Sequence, residues 1–132
     1  MIVPAFLLRR LYVRGSLRNT AQGVEFDLKN SLGAGYAHEM LPLSFDGAEI
    51  PKEACSFGNN GETTPFLGVT SEKPFTLALN LTTTIRASGH VLSEGDHTIH
   101  MGFVVAGLGR LAFDFTDRVD GPASQTDAPS VP

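Results

Sequence analysis

Two neighbouring runs of this sequence alternate large apolar residues with small or polar ones. In the first, Ile99, Met101, Phe103 and Val105 share one parity; in the second, Leu111, Phe113 and Phe115 do. Between the runs lies Ala106-Gly107-Leu108-Gly109. Side chains alternate between the faces of a strand, so apolar period two on both sides of a Gly-containing turn predicts a β-hairpin over His97–Asp117. Its seven apolar side chains form the floor of a core that the earlier strands must cover.

The rest of the chain follows the same period. Val24-Glu25-Phe26-Asp27-Leu28-Lys29 alternates without a break and predicts a half-buried strand, with Glu25 and Asp27 on the solvent face. Phe6–Val13 fits a helix or a strand; the aromatic and β-branched residues at its end and Gly15-Ser16 close behind favour the strand, joined to the next through the turn composition of Asn19–Gly23. Asn30–Gly35 reads as a glycine-rich crossover; no Lys and no strand-to-helix context make it a phosphate loop. Tyr36–Phe45 predicts a strand with Leu41, Leu43 and Phe45 on one face, and Pro42, which has no N–H, predicts an edge or a bulge. Asp46-Gly47 and Asn59-Asn60-Gly61 are tight turns around a return strand, Ala48–Pro51 and Ala54–Phe57. Pro74–Arg86 reads as one long strand, Leu77, Leu79, Leu81, Thr83 and Ile85 facing in and Thr82, Thr84 and Arg86 facing out. Turns at Ser88-Gly89-His90 and Ser93–Asp96 lead into the hairpin.

No long helical period occurs, and turn signals recur every dozen residues or so. The pattern predicts an all-β protein: an antiparallel β-sandwich, immunoglobulin-like or jelly-roll-like, of roughly seven to nine strands. Residues 1–118 are expected to form one domain, and 119–132, without periodicity or large aromatics, a disordered tail.

Composition narrows the partners. The chain has 132 residues, 42% hydrophobic and 18% charged, so it can bury a core without disulfide or metal. A net charge of -4 argues against nucleic acid or an anionic membrane as partner. Arg9, Arg10, Arg14 and Arg18 alternate with apolar residues and read as the outer face of a strand. Cys55 is the single cysteine, so no intrachain disulfide forms, and a small buried hydrophobe is its expected role. The apolar start, Met1–Leu8, has no basic flank or cleavage site and is too short to span a bilayer; a cytoplasmic location is expected. Asn80-Leu81-Thr82 matches a glycosylation acceptor, which has no meaning without secretion.

Candidate chemistry is sparse. The histidines are His38, His90, His97 and His100. Positions 97 and 100 point to opposite faces of a strand and cannot share an ion, so no metal site is expected in this chain. Asp114 faces away from Leu111, Phe113 and Phe115, and no nucleophile elbow or triad is marked. Tyr36, His38 and Glu39 bring an aromatic, an imidazole and a carboxylate together in the crossover and are the candidates for a position near substrate or partner; His100 is a weaker one. A β core with no self-sufficient active site suits a binding module or a subunit.

The order of strands and turns resembles the small beta-subunit family of bacterial C-glycoside deglycosidases over about residues 6–116. The matching features are Phe26–Asn30, Asp46-Gly47 with Pro51-Lys52-Glu53, and the Leu92-x-x-Gly95-x-His97 approach to the hairpin. The resemblance implies a non-catalytic subunit beside a TIM-barrel, sugar-isomerase-like alpha subunit. That partner would hold a divalent metal and the acid–base residues and cleave the C–C bond of 3-oxo-C-glycosides, with no cofactor in this chain. Two other readings stand beside it: a stand-alone module for a sugar or small aromatic, and a free-standing keto-sugar isomerase or lyase with His38 or His100 as base. Homo-oligomerisation is compatible with each.

Overall fold

A computed structural model describes residues 3–33, 35–59 and 62–120. Its eleven strands are β1 (Arg18–Thr20), β2 (Gly23–Lys29), β3 (Gly35–Met40), β4 (Ser44–Phe45), β5 (Ala48–Glu49), β6 (Cys55–Asn59), β7 (Glu62–Pro65), β8 (Phe75–Leu77), β9 (Thr82–Ser88), β10 (Gly95–Val105) and β11 (Gly109–Val119). One sheet runs β1-β2-β9-β6-β7; the other runs β5-β4-β10-β3-β8, with β11 on β10. All strand pairs are antiparallel. The protein is an all-β, sandwich-like fold, as the apolar period predicts. Eleven strands replace the expected seven to nine because turns and bulges cut longer runs into two- and three-residue pieces.

The β10–β11 hairpin forms as expected, with Val105 opposite Gly109 and Ile99 opposite Phe115. Ile99, Met101, Phe103, Leu111, Phe113 and Phe115 are buried in one cluster shared with Val24, Phe26 and Leu28 of the facing sheet. Burying each such side chain contributes about 1.5–3 kcal/mol. The Tyr12 ring stacks on Phe115 at 3.6 Å, and Phe26 meets Phe115 edge-on at 5.2 Å, which ties the two sheets together.

Several expectations change. The return strand is two strands, β5 and β6, in different sheets, with a 3₁₀ turn at Lys52–Ala54 between them. Phe6–Val13 is not a strand: Ala5–Leu8 is a single helical turn (α1) and Arg9–Leu11 a 3₁₀ turn. Pro4 presets the start, and its carbonyl accepts from the N–H groups of Leu7 and Leu8. Leu8 and Leu11 are three apart, so a helical turn buries both where a strand would bury only one. Arg9 and Arg10 therefore lie on the 3₁₀ turn and Arg14 on the turn after it, and of the four arginines Arg18 alone is on a strand, at the start of β1.

Pro74–Arg86 is two strands in different sheets. Asn80 adopts φ +65° and donates its N–H to the Asn30 carbonyl, and the chain crosses from β8 to β9 there. Asn tolerates this left-handed conformation better than most residues. Leu79 and Leu81 consequently face out, whereas Thr83 and Ile85 face in as expected.

Glu25 is 7% exposed rather than solvated. Arg86 Nε donates to its Oε2 at 2.7 Å and Arg18 to its Oε1 at 3.1 Å, and the two arginines cover the outer face of β2. Tyr36–Phe45 is interrupted at Leu41-Pro42-Leu43, as Pro42 suggests, and its two halves pair with successive parts of β10. Val119, assigned to the tail by its position, is the buried last residue of β11. The remaining tail residues, 121–132, and Asn60-Gly61 of the expected turn lie outside the described residues.

Candidate functional site

The described cavity lies between the apolar face of β10–β11 and the N-terminal segment and encloses about 350 Å³. Phe103, Val105 and Leu111 line it from the second sheet, and no described strand residue of the first sheet does; Asn30, just past the end of β2, is the nearest to that sheet. Leu8 and Leu11 form one wall, Ala37 and Phe75 another, and Leu32, Gly33 and Tyr36 stand at the margin. Asn30 shapes that margin. Its Oδ1 accepts from the N–H groups of Leu32 at 3.0 Å and Gly33 at 3.2 Å, and its Nδ2 donates to the Gly33 carbonyl at 2.6 Å. This Asx-type loop lets an amide sit in the lining without an unmet hydrogen bond. No lysine, arginine, histidine or carboxylate lines the cavity among the described residues. Its chemistry is that of an apolar receptor, at the small end of the usual size range.

The sequence candidates do not meet at one point. Tyr36, His38 and Glu39 lie on strand β3, not in a crossover loop. Glu39 is opposite Val104 and Ala37 opposite Val105, so His38 is the extra residue of a β-bulge. The bulge keeps both Ala37 and Met40 in the core and leaves Glu39 exposed on the outer face. Tyr36, 61% exposed, is the candidate that reaches the cavity. His100 is exposed on the outer face of β10, opposite Ser44 and Asp114. Among the described residues no three His, Cys, Asp or Glu side chains could hold a metal.

Two polar clasps were not foreseen. At the first, Tyr12 Oη donates to Asp117 Oδ2 at 2.6 Å and accepts from the Leu17 N–H at 3.1 Å, and the Gly15 N–H reaches the same carboxylate oxygen at 2.7 Å. Burial and the Asp117 carboxylate push the Tyr12 phenol up to about 12. Burial works to raise the Asp117 carboxyl. Hydrogen bonds from Tyr12, Gly15 and Arg118 and the Arg14 charge outweigh it and hold the group below the ordinary carboxylate range.

At the second, the His97 ring lies between Asp46 Oδ2, 2.6 Å from Nδ1, and the Ser93 carbonyl, 2.7 Å from Nε2. The hydrogen bond to Asp46 holds the imidazole above its ordinary value, against a smaller opposing effect of burial. The bond from His97 and the Thr98 N–H hold Asp46 below its own. A signal for both clasps is present in the sequence: His97 and Asp117 occupy core-facing parity at the open end of the hairpin, where a polar side chain needs a partner. The partners are 51 residues away in one case and 105 in the other, and only folding brings them in. Cys55 is buried, as expected, and burial raises its thiol.

Fold and cavity together define an all-β domain that encloses an apolar cleft and uses its perturbed acids and bases to fasten loops. The family model described as hydroxymethylglutaryl-CoA reductase, N-terminal domain, matches residues 7–120, and the chain belongs to that family. A search of curated proteins finds no match. The family match overturns the resemblance to C-glycoside deglycosidase small subunits, and with it the assignment to a C–C lyase complex. The structure shows why the resemblance misled. Asp46-Gly47 is the β4–β5 turn, Pro51-Lys52-Glu53 opens a 3₁₀ turn at Lys52–Ala54, and Leu92–His97 leads into β10. Local folding accounts for each motif. The TIM-barrel partner and its divalent metal were implied by that resemblance alone and lose their basis with it. The stand-alone sugar or aromatic module and the free-standing isomerase gain no support from the match either. No helix among the described residues is long and apolar enough to cross a membrane.

Proposed function

We propose that this chain is a non-catalytic domain of a hydroxymethylglutaryl-CoA reductase and that it holds an aliphatic group in the cavity between β10–β11 and the N-terminal segment. The observation that carries this reading is the lining: apolar walls, one amide already engaged in its own loop, and an exposed tyrosine at the margin. A hydroxymethylglutaryl carboxylate would lose its water there without meeting a cation, at a cost of several kcal/mol, so the guest is not the acid end of that substrate. The reduction itself falls to residues outside this chain. The free, buried Cys55 thiol suits a reducing compartment, and a cytoplasmic setting is part of the proposal.

The test uses 1-octanol as probe and methyl NMR of the purified chain. Saturable shifts at Ala37, Val105 and Leu111, weakened at least tenfold in Ala37→Phe, are expected, because the larger ring fills the space the guest would take. Shifts that do not saturate, or that persist unchanged in a folded Ala37→Phe variant, overturn the proposal.

A further inference from the structure

The His97 ring joins the start of β10 to the loop just before it and to the β4–β5 turn, 51 residues away. It sits at the start of β10 with its side chain 11% exposed, and Asp46 from the β4–β5 turn contacts one nitrogen while the Ser93 carbonyl contacts the other. Both neighbours are acceptors. A neutral imidazole has one N–H and can satisfy only one of them; an imidazolium satisfies both. Ser93 Oγ, the nearby hydroxyl, is 3.4 Å from Nε2, too long to replace the 2.7 Å carbonyl contact. Asp46 is itself held at φ +53°: its Oδ1 accepts from the Thr98 N–H at 2.8 Å and its own N–H donates to the Thr98 carbonyl at 2.7 Å. On the far side, Asn19 makes two bonds to Leu92, fixing the 91–94 loop to β1 of the other sheet.

We propose that His97 is a proton-dependent clasp: as the imidazolium it closes the loop at 91–94 and the β4–β5 turn onto β10, and on losing a proton it releases one of them. The charges around it favour the closed form. Asp46 faces it from the turn and Asp96 is next to it on β10. Asp117 stands opposite on β11 with its carboxylate engaged by Tyr12 and Gly15. Arg118, the nearest cation on β11, is drawn towards Glu94, Asp96 and Asp120 rather than to the ring. Released, the loop remains tied to the first sheet through Asn19, so opening is local to the seam between that loop and the second sheet. The clasp lies near one end of β10 and the cavity near the other, eight residues or about 26 Å along the strand. The clasp therefore acts independently of any guest.

Linkage gives the sign. The closed form holds one more proton than the open form between the ordinary histidine value of 6.5 and the raised value of the clasp. Within that window the open population grows up to tenfold for each pH increment of one. Histidine NMR with backbone hydrogen exchange tests it. The expected result has three parts. His97 titrates above 6.5, with both nitrogens protonated at that pH. Opening at the 91–94 loop or at Asp46 and Thr98, corrected for the intrinsic pH dependence of exchange, rises with its deprotonation. Asp46→Asn, which keeps a residue at ease with positive φ, returns His97 towards 6.5 and abolishes the pH dependence. A His97 that titrates at or below 6.5, or protection that follows its titration neither at the 91–94 loop nor at Asp46 and Thr98, overturns the clasp. If Asp46→Asn fails to fold, the wild-type titration curve and the pH dependence of its exchange still decide.

Discussion

Tyr12 shows how much a single side chain can fasten. Its ring stacks on Phe115, its hydroxyl bridges the Asp117 carboxylate and the Leu17 N–H, and the main chain around it forms an isolated bridge to Leu28. Tyr12→Phe keeps the stack and removes the bridge, leaving a carboxylate and a buried N–H short of a partner. A loss of about 1–3 kcal/mol is expected, read as a lower urea midpoint at neutral pH. Little of this was legible in the sequence. Tyr12 looked like one more apolar position of a strand, because the pattern reports which residues avoid water and not which hydroxyl finds which carboxylate. The bulge at His38 is of the same kind. It splits an apparent cluster of Tyr36, His38 and Glu39, and only pairing against β10 reveals it.

Among the elements, those with local causes were legible. The β10–β11 hairpin follows from period two and a glycine turn, and β2 from its alternation. The N-terminal segment was misread because arginines flank its leucines and both periods fit so short a run; burial of Leu8 and Leu11 against the cavity decides for the helical turn. The 74–86 run was misread because apolar parity continues through Asn80 while the backbone does not. This gives a prediction at the element scale. Asn80→Val places a β-branched residue at φ +65° and should cost about 1–2 kcal/mol, whereas Asn80→Gly should change stability by less than about 0.5 kcal/mol. Thermal unfolding of the two variants checks it, and equal losses in both would mean that the Asn80 side chain, not its conformation, matters.

The molecule as a whole should show an asymmetric dependence of stability on pH. Asp46 and Asp117 are lowered from 3.8, so their contribution is present above that value and is lost as pH falls through their folded values. His97 is raised from 6.5, so its contribution is complete below 6.5 and is lost as pH rises through its folded value. Tyr12 is raised from 10.0 to about 12, so its share is lost between those values. Burial also raises the Cys55 thiol from 9.0, so urea midpoints measured from pH 3 to 11 should be highest between about 4 and 6.5 and fall on the alkaline side in stages beginning at 6.5, 9.0 and 10.0. A flat profile from 6.5 to 9 would contradict the His97 assignment.

The sequence by itself determined the all-β class, the hairpin and its buried face, the main turns, and the lack of a marked catalytic motif. Each of these depends on short-range rules: side-chain alternation, glycine and asparagine at positive φ, proline without a donor. Tertiary structure decided which residues meet around the cavity, which arginines cover Glu25, and which residues complete the two clasps. Those outcomes depend on contacts between residues as far as 105 positions apart, which no local pattern encodes. Turn and strand motifs recur across unrelated sandwiches for the same local reasons, which is why they pointed to a wrong family, while the match across residues 7–120 identified the right one.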